Sequence, residues 1–247
     1  MIEELIAEFE LYCRDYTPVL ISTSSTNTYS RENIDSIQDN TVVVAPVQDG
    51  GRGRENKFFV SKEGGAYFSI VNKIEYLTLN ETVKFVYAAG LAVSAVLREY
   101  GVESGLKWPN DVFVNEKKIC GILCESVIDA SGTASVITGI GINIYNDISE
   151  ICNSTRLGEH VLHPVSIAKI IAGTVYFYDK LLKLSAEELL ELYKKECITI
   201  GREVVVVATG ETGYAVGVNA EGFLEVDVKG EIVEVKAGDV SLKELVC

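Results

Sequence analysis

Apolar residues recur at helical spacing from the start of the chain, at Ile2, Leu5, Ile6 and Phe9, and predict a first helix over residues 2–13. The run VLIS, beginning at Val19, predicts a strand that leads into a helix start. Ser25, Thr26 and Asn27 there are residue types that cap helices. TVVVAPV from Thr41 and AYFSIV from Ala66 are β-branched and aromatic runs of strand character. The clearest helix begins at Thr78, where Val86, Ala89, Val93, Val96, Leu97 and Tyr100 share one face. Thr78 and Glu81 form a capping box for it, and Gly101 is its natural stop. LKWPNDVFVNEKKICGILCESVI predicts a hairpin turning near Asn115 and Glu116, and SVITGIGINI a further strand. Helices follow over about 165–182 and 186–196, the second opened by a capping box of Ser185 and Glu188. At Gly201 the pattern shifts to short strands separated by glycine turns, with Leu224, Val226 and Val228 alternating against Glu225 and Asp227. These residues predict a small all-β barrel that leans on the main domain. The chain therefore divides into residues 1–199 and 200–247.

Composition narrows the class. With 247 residues, 47% hydrophobic and 23% charged, the chain has the make-up of a globular protein with room for one sizeable core. The acidic start MIEELIAEFE is unlike a secretory signal. The longest uncharged apolar run, Phe85–Leu97, is short of the ~18 residues a membrane span needs. A cytoplasmic protein without a membrane partner is expected. Its six cysteines contain no CxxC pair and read as small buried hydrophobes rather than disulfides or zinc ligands. His160 and His163 lack further ligands at suitable spacing. The net charge of −14 argues against a nucleic-acid surface, since phosphate contacts need a basic face.

Against that charge, Arg52, Arg54 and Lys57 stand out, threaded through glycines after a strand. Glycine loops in this position cradle phosphates with backbone N–H groups. Neither the GxxxxGKS/T nor the GxGxxG fingerprint is present, and a surface loop or an RNA-binding RGG-like segment fits the residues equally well. Two further stretches carry chemistry: LKWPNDVFV, with the single tryptophan at a proline turn, and TGIGINI, whose small residues leave one surface bare beside Asn143.

Taken together, these stretches resemble the biotin protein ligases. The marks are Ser25-Thr26-Asn27, Gln48 followed by Gly51-Arg52-Gly53-Arg54, GGAYFS at 64–69, KWPNDVFV at 107–114, KKICGIL at 117–123 and GIGINI at 139–144, in the family's order and spacing. The C-terminal GREVVVV, GYAVGV, GFLEVDV and VKAGDVSL resemble that family's small SH3-like domain. The resemblance implies an α+β fold: a class II aminoacyl-tRNA synthetase/biotin ligase-like catalytic domain, with a mixed sheet and flanking helices, plus the C-terminal SH3-like barrel. It implies two reactions. Biotin and ATP give biotinyl-5′-AMP and pyrophosphate, and a lysine of a biotin carboxyl carrier domain then takes the biotinyl group. Each stage gathers negative charge on phosphate oxygens, for which fixed cations and N–H donors are suited.

The resemblance also assigns roles. Lys107, Arg52 and Arg54 are the catalytic cations. Ser25, Thr26, Asn27, Gln48, Gly51, Arg52, Gly53 and Lys107 bind biotin. Arg52, Gly53, Arg54, Lys107, Trp108, Asn110 and Asn143 bind ATP and the adenylate. Asp111 is the candidate ligand for the Mg2+ that ATP chemistry implies. Where the family's loop commonly reads GRGRRGRxW, this chain has Glu55, Asn56 and Phe59, which predicts a faster loss of bound adenylate. Only about 18 residues precede the first matching strand, so no DNA-binding repressor domain is expected. A homodimer by side-by-side sheet pairing is the expected assembly. Lipoate–protein ligase, which shares the adenylate logic, and a non-catalytic adaptor are the competing readings.

Overall fold

The computed structural model describes residues 1–54, 57–74, 79–130, 132–207, 209–236 and 240–242, at 79–81 and 240–242 through the backbone alone. Its larger sheet has seven strands: β1 (Thr17–Leu20), β2 (Thr41–Ala45), β3 (Ala66–Ile74), β4 (Gly105–Lys107), β5 (Asp111–Val114), β6 (Lys117–Ile128) and β7 (Ala134–Ile142). Their order is β1-β2-β3-β7-β6-β5-β4. Only β1 and β2 pair in parallel, so the sheet is mixed and the fold is α+β.

The two faces of this sheet have different fates because β side chains alternate. On one face Phe68, Ile70, Ile140 and Ile142 meet helices α1 (Ile2–Tyr12), α3 (Leu79–Glu99), α4 (Ile167–Leu182) and α5 (Ala186–Glu196) in the main core. α3 contributes Ala88, Ala89, Ala92, Val93, Val96 and Leu97, a stripe at the i, i+3/i+4 spacing of a buried helix face. A fully buried Leu such as Leu97 contributes ~1.5–3 kcal/mol relative to exposure. The other face is thinner. It carries the short α2 (Thr26–Glu32), a small cluster of Ile34, Val71 and Ile137, and a run of glycines.

Helix ends follow the expected chemistry where they are described. Ser25 caps α2 by accepting from Thr28 N, Ser166 caps α4, and Ser185 with Glu188 completes the predicted capping box of α5. Gly101 ends α3 with φ +75°. Thr78 and the side chain of Glu81, the predicted cap of α3, lie outside the described residues. The predicted turn at Asn115 and Glu116 is present, with both residues at positive φ (49° and 62°), the geometry that joins two strands tightly. The short strand β4, just ahead of the proline turn, was absent from the sequence pattern because three residues are too few to show alternation.

A second, antiparallel sheet of five strands closes the chain: β8 (Glu203–Val206), β9 (Thr212–Val218), β10 (Leu224–Val228), β11 (Glu231–Val235) and β12 (Val240–Leu242), in the order β11-β10-β9-β8-β12. Its inward residues, among them Val204, Ala215, Val218, Leu224 and Val226, belong to the same core cluster as the main domain. It is tied to the β4–β5–β6 hairpin at two points. Trp108 Nε1 donates to Gly222 O at 3.1 Å, and Arg202 grips Glu116 bidentately at 2.6 and 2.7 Å; just ahead of the boundary, Trp108 N also donates to Thr199 Oγ1 at 2.9 Å.

One cysteine departs from expectation. Cys13, Cys120, Cys124 and Cys197 are free, but Cys152 is disulfide-bonded.

Candidate active site

The thin face of the sheet holds a cleft of about 290 Å³, near the lower end of small-molecule sites, roughly 300–1,000 Å³. Its floor is backbone. Gly139 and Gly141 of β7 and Gly121 of β6 present no side chain, and the space above them is taken by neighbours. A Cβ on Gly139 would stand 2.1 Å from Asn27 Oδ1, and one on Gly141 2.4 Å from the Phe59 ring. Any larger residue at either position would displace Asn27 or the Phe59 ring.

One end is neutral and hydrogen-bonding. Ser69 Oγ, fully buried, lies 2.7 Å from Thr26 Oγ1 and 2.6 Å from Asn27 Oδ1. Gln48 is held from both sides: Thr26 N donates to its Oε1 at 2.7 Å, and its Nε2 donates to Ser61 Oγ at 2.9 Å. The start of α2 thus delivers Ser25, Thr26 and Asn27 to the cleft. Donors and acceptors side by side suit a small polar ring.

The other end is charged. Lys107 ends β4 and Asp111 begins β5, and the two are paired across the turn. Lys118 Nζ sits 2.7 Å from Asp111 Oδ1. Lys107 has no ion-pair partner among the described residues; its Nζ lies 5.2 Å from the centre of the Phe113 ring. Burial lowers its pKa below the ordinary value, Lys118 and Lys57 push the same way, and Asp111 partly offsets them. A cation that is both desolvated and unpaired is suited to receive an anion.

The glycine loop forms the wall between these ends. Phe59 N donates to Gly51 O at 2.9 Å, and Gly53 N to Lys57 O at 2.7 Å, so the loop folds back on itself. Gly51 has to be glycine, since a Cβ there would be 2.3 Å from Phe59 O. Arg52, Gly53 and Arg54 all line the cleft. Arg54 has no ion-pair partner among the described residues, whereas Arg52 Nη1 lies 3.0 and 3.1 Å from the two oxygens of Glu125.

Of the residues expected from the sequence, Ser25, Thr26, Asn27, Gln48, Arg52, Gly53, Arg54, Lys107, Trp108, Asn110 and Asp111 line this one cleft. Gly51 and Asn143 do not. Gly51 shapes the loop from behind. Asn143 spends its amide internally, donating to Thr155 O at 3.2 Å and accepting from Asn146 Nδ2 at 3.0 Å. Asn110 is tied down as well, donating to Ile122 O at 2.5 Å. Trp108 is buried, with its indole turned to the second sheet. Glu55 and Asn56 lie outside the described residues. Sequence reasoning passed over Lys118, Ser69 and Glu125. Lys118 and Ser69 lay inside quoted stretches, KKICGIL and GGAYFS, without a role; Glu125 sits on a strand where only the alternation of faces reveals it.

Comparison with known proteins agrees with this geometry. Residues 19–143 match the Biotin/lipoate A/B protein ligase family, and residues 199–243 match the Biotin protein ligase C terminal domain. The chain is 28% identical over 240 residues to the bifunctional ligase/repressor BirA of Bacillus subtilis, covering 92% of this chain and 73% of that protein. It is 29% identical over 213 residues to the human biotin–protein ligase, covering 78% of this chain and 29% of that one. The structure of the Aquifex aeolicus biotin protein ligase in complex with biotin and ATP superimposes with a TM-score of 0.77 at 28% identity, covering 92% of this chain and 98% of the other.

Proposed function

This chain belongs to the biotin/lipoate A/B protein ligase family, and from that premise we propose how its cleft ligates biotin to a protein at the expense of ATP. The observation that carries the reading is the pairing of a neutral, glycine-floored pocket with two cations, Arg54 and Lys107, that have no ion-pair partner among the described residues, in one cleft. From β3, which bears Ser69, to β4, which bears Lys107, is four ladder steps, roughly 19 Å at ~4.8 Å a step. That span suits an elongated ligand with a polar ring at one end and an anionic centre towards the other.

Ser25, Thr26, Asn27 and Gln48 hold biotin's ureido ring over the glycines. Its carboxylate then faces the α-phosphate of ATP. A carboxylate oxygen forms a bond to phosphorus as the bond to the bridging oxygen breaks, and pyrophosphate leaves. Lys107 and Arg54 offset the charge that builds on the phosphoryl oxygens. In the second step the ε-amine of a carrier lysine attacks the acyl carbon and AMP departs, the ammonium proton passing to solvent. The closed loop limits water's access to the anhydride meanwhile.

The acceptor is a carrier protein of the biotin carboxyl carrier class. Asp111 is the one carboxylate among the described residues lining the cleft. It is already paired with Lys118, so the described residues of the cleft make no metal cage. No helix among the described residues is long and apolar enough to cross a membrane. Homodimer formation, the absence of DNA binding and a cytoplasmic location belong to the same proposal.

Biotin-dependent ATP–pyrophosphate exchange tests the reading. Exchange with biotin and none with lipoate is expected; exchange with lipoate alone would overturn it in favour of the lipoate reading. A wholly inert cleft would favour the adaptor.

A further inference from the structure

The five basic residues lining the cleft are not equivalent. Arg54 and Lys107 lack ion-pair partners among the described residues, while Arg52 is engaged with Glu125. Glu125 lies on β6, and its side chain is only 19% exposed. It accepts from three side chains on two separate segments: Asn27 Nδ2 at 2.9 Å and Arg31 Nη2 at 2.8 Å from α2, and Arg52 Nη1 at 3.0 and 3.1 Å from the glycine loop.

The same loop has a second attachment, the Phe59 ring resting on Gly121 and Gly141. Between them the backbone bonds Gly53 N to Lys57 O and Lys57 N to Arg54 O keep its fold. The loop is thus fastened at both legs, with Arg54 at its turn.

We infer that Glu125 is a positioning residue: it latches the glycine loop shut through Arg52, leaving Arg54 as the loop's cation for the adenylate phosphate. This deepens the proposed function and rests on it for the identity of the ligand. Three features make the pair suited to a latch. Both partners are half-buried rather than fully buried, 36% exposed for Arg52 against 19% for Glu125, so the pair can part without stranding charges in a dry core. Arg31 and Asn27 remain on Glu125 when Arg52 leaves, so the carboxylate is never unpartnered. And Asn27 also touches the biotin end of the cleft through Ser69, which connects pocket and latch through one side chain.

The test combines the variants E125Q, E125D, R52A, R54A and R52A/E125Q with three readouts. Dissociation of preformed biotinyl-AMP is expected to speed up ~10-fold in E125Q and in R52A, the loss of one charge-assisted bond. The double variant should be no worse than R52A, because both changes break the same link. E125D should recover part of the loss. R54A should slow exchange turnover, whereas E125Q should leave turnover at saturating substrate within ~3-fold. In the third readout, limited trypsin digestion of the ligand-free protein, E125Q should raise cleavage at Arg54. If E125Q leaves dissociation and proteolysis unchanged, or if R52A and E125Q combine multiplicatively, the latch is refuted. If R52A cuts turnover as R54A does, Arg52 acts on the phosphate directly. Should the unaltered protein show no biotin-dependent exchange, the functional reading falls, and the digestion arm still decides the latch.

Discussion

Two segments carry the cations of this cleft, and they are built in opposite ways. The β4–β5–β6 hairpin brings Lys107 and Lys118 on a sheet ladder, buttressed from behind by Trp108 on Gly222 and Thr199 and by Glu116 on Arg202. The glycine loop brings Arg52, Arg54 and Lys57 on a short fold-back whose attachments among the described residues include the half-buried Arg52–Glu125 pair and the Phe59 ring. The hairpin is a fixed template. On the latch inferred above, the loop would part from Glu125 to admit a ligand, as segments of low local stability do. The difference teaches that the lysine proposed to offset the reacting charge sits on a sheet ladder, while the arginines proposed to retain the intermediate sit on a fold-back outside it.

The largest expected effect tests the rigid side. Lys107→Ala should lower biotin-dependent exchange by ~10²–10³-fold through loss of charge stabilisation, with Lys107→Arg recovering part of it. Burial lowers the Lys107 pKa from 10.5, so the charge is lost as pH rises through a value below the ordinary one. The alkaline limb of the exchange rate should therefore fall earlier than 10.5 and move upward in Lys107→Arg. Full activity in Lys107→Ala would reverse the comparison.

Next comes the floor shared by both segments. Gly141→Val would meet the Phe59 ring, and overpacking of this kind costs ~1–3 kcal/mol. Biotin affinity measured by calorimetry should drop ~10–100-fold, with melting temperature as the control for folding. Unchanged affinity would show that biotin lies elsewhere.

Trp108→Phe keeps the ring but removes the donor to Gly222 O. A loss of ~1–2 kcal/mol in stability is expected, seen in thermal melts, with a several-fold drop in exchange if the second sheet buttresses the hairpin. Stability loss with unchanged turnover would make that sheet a passive neighbour.

The smallest effect is Arg202→Ala, since a partly exposed ion pair contributes ~0.2–1 kcal/mol. Arg202 lowers the pKa of Glu116. The stabilisation is therefore present above the unfolded carboxylate value and fades as pH falls through the folded one. Denaturant melts of the variant and the parent should converge at low pH and separate near neutrality.

Much of this site was legible beforehand because it is written in local chemistry. Glycines that must lack a side chain, a Ser-Thr-Asn helix start and a lone tryptophan beside proline are each visible in a few residues. Asn143 shows the limit. It stands beside the bare strand in sequence, yet its amide turns inward to Thr155 and Asn146, partners 12 and 3 residues away that no local pattern names. Cys152 is a second case, since a disulfide depends on which thiols the fold brings together. Glu125 is a third: an acidic residue in a strand reads as solvated until α2 and the loop bring three donors to it.

By itself, then, the sequence determined most of the elements and the residue types of the cleft, since periodicity, capping and steric demand act over a few neighbouring residues, and its motifs in order pointed to the family and so to the mixed sheet. Tertiary structure alone decided that Arg52 is paired with Glu125 while Arg54 and Lys107 have no ion-pair partner among the described residues. Whether an arginine faces a substrate or a carboxylate depends on what lies opposite it across the sheet, and Arg52 and Glu125 are 73 residues apart in the chain.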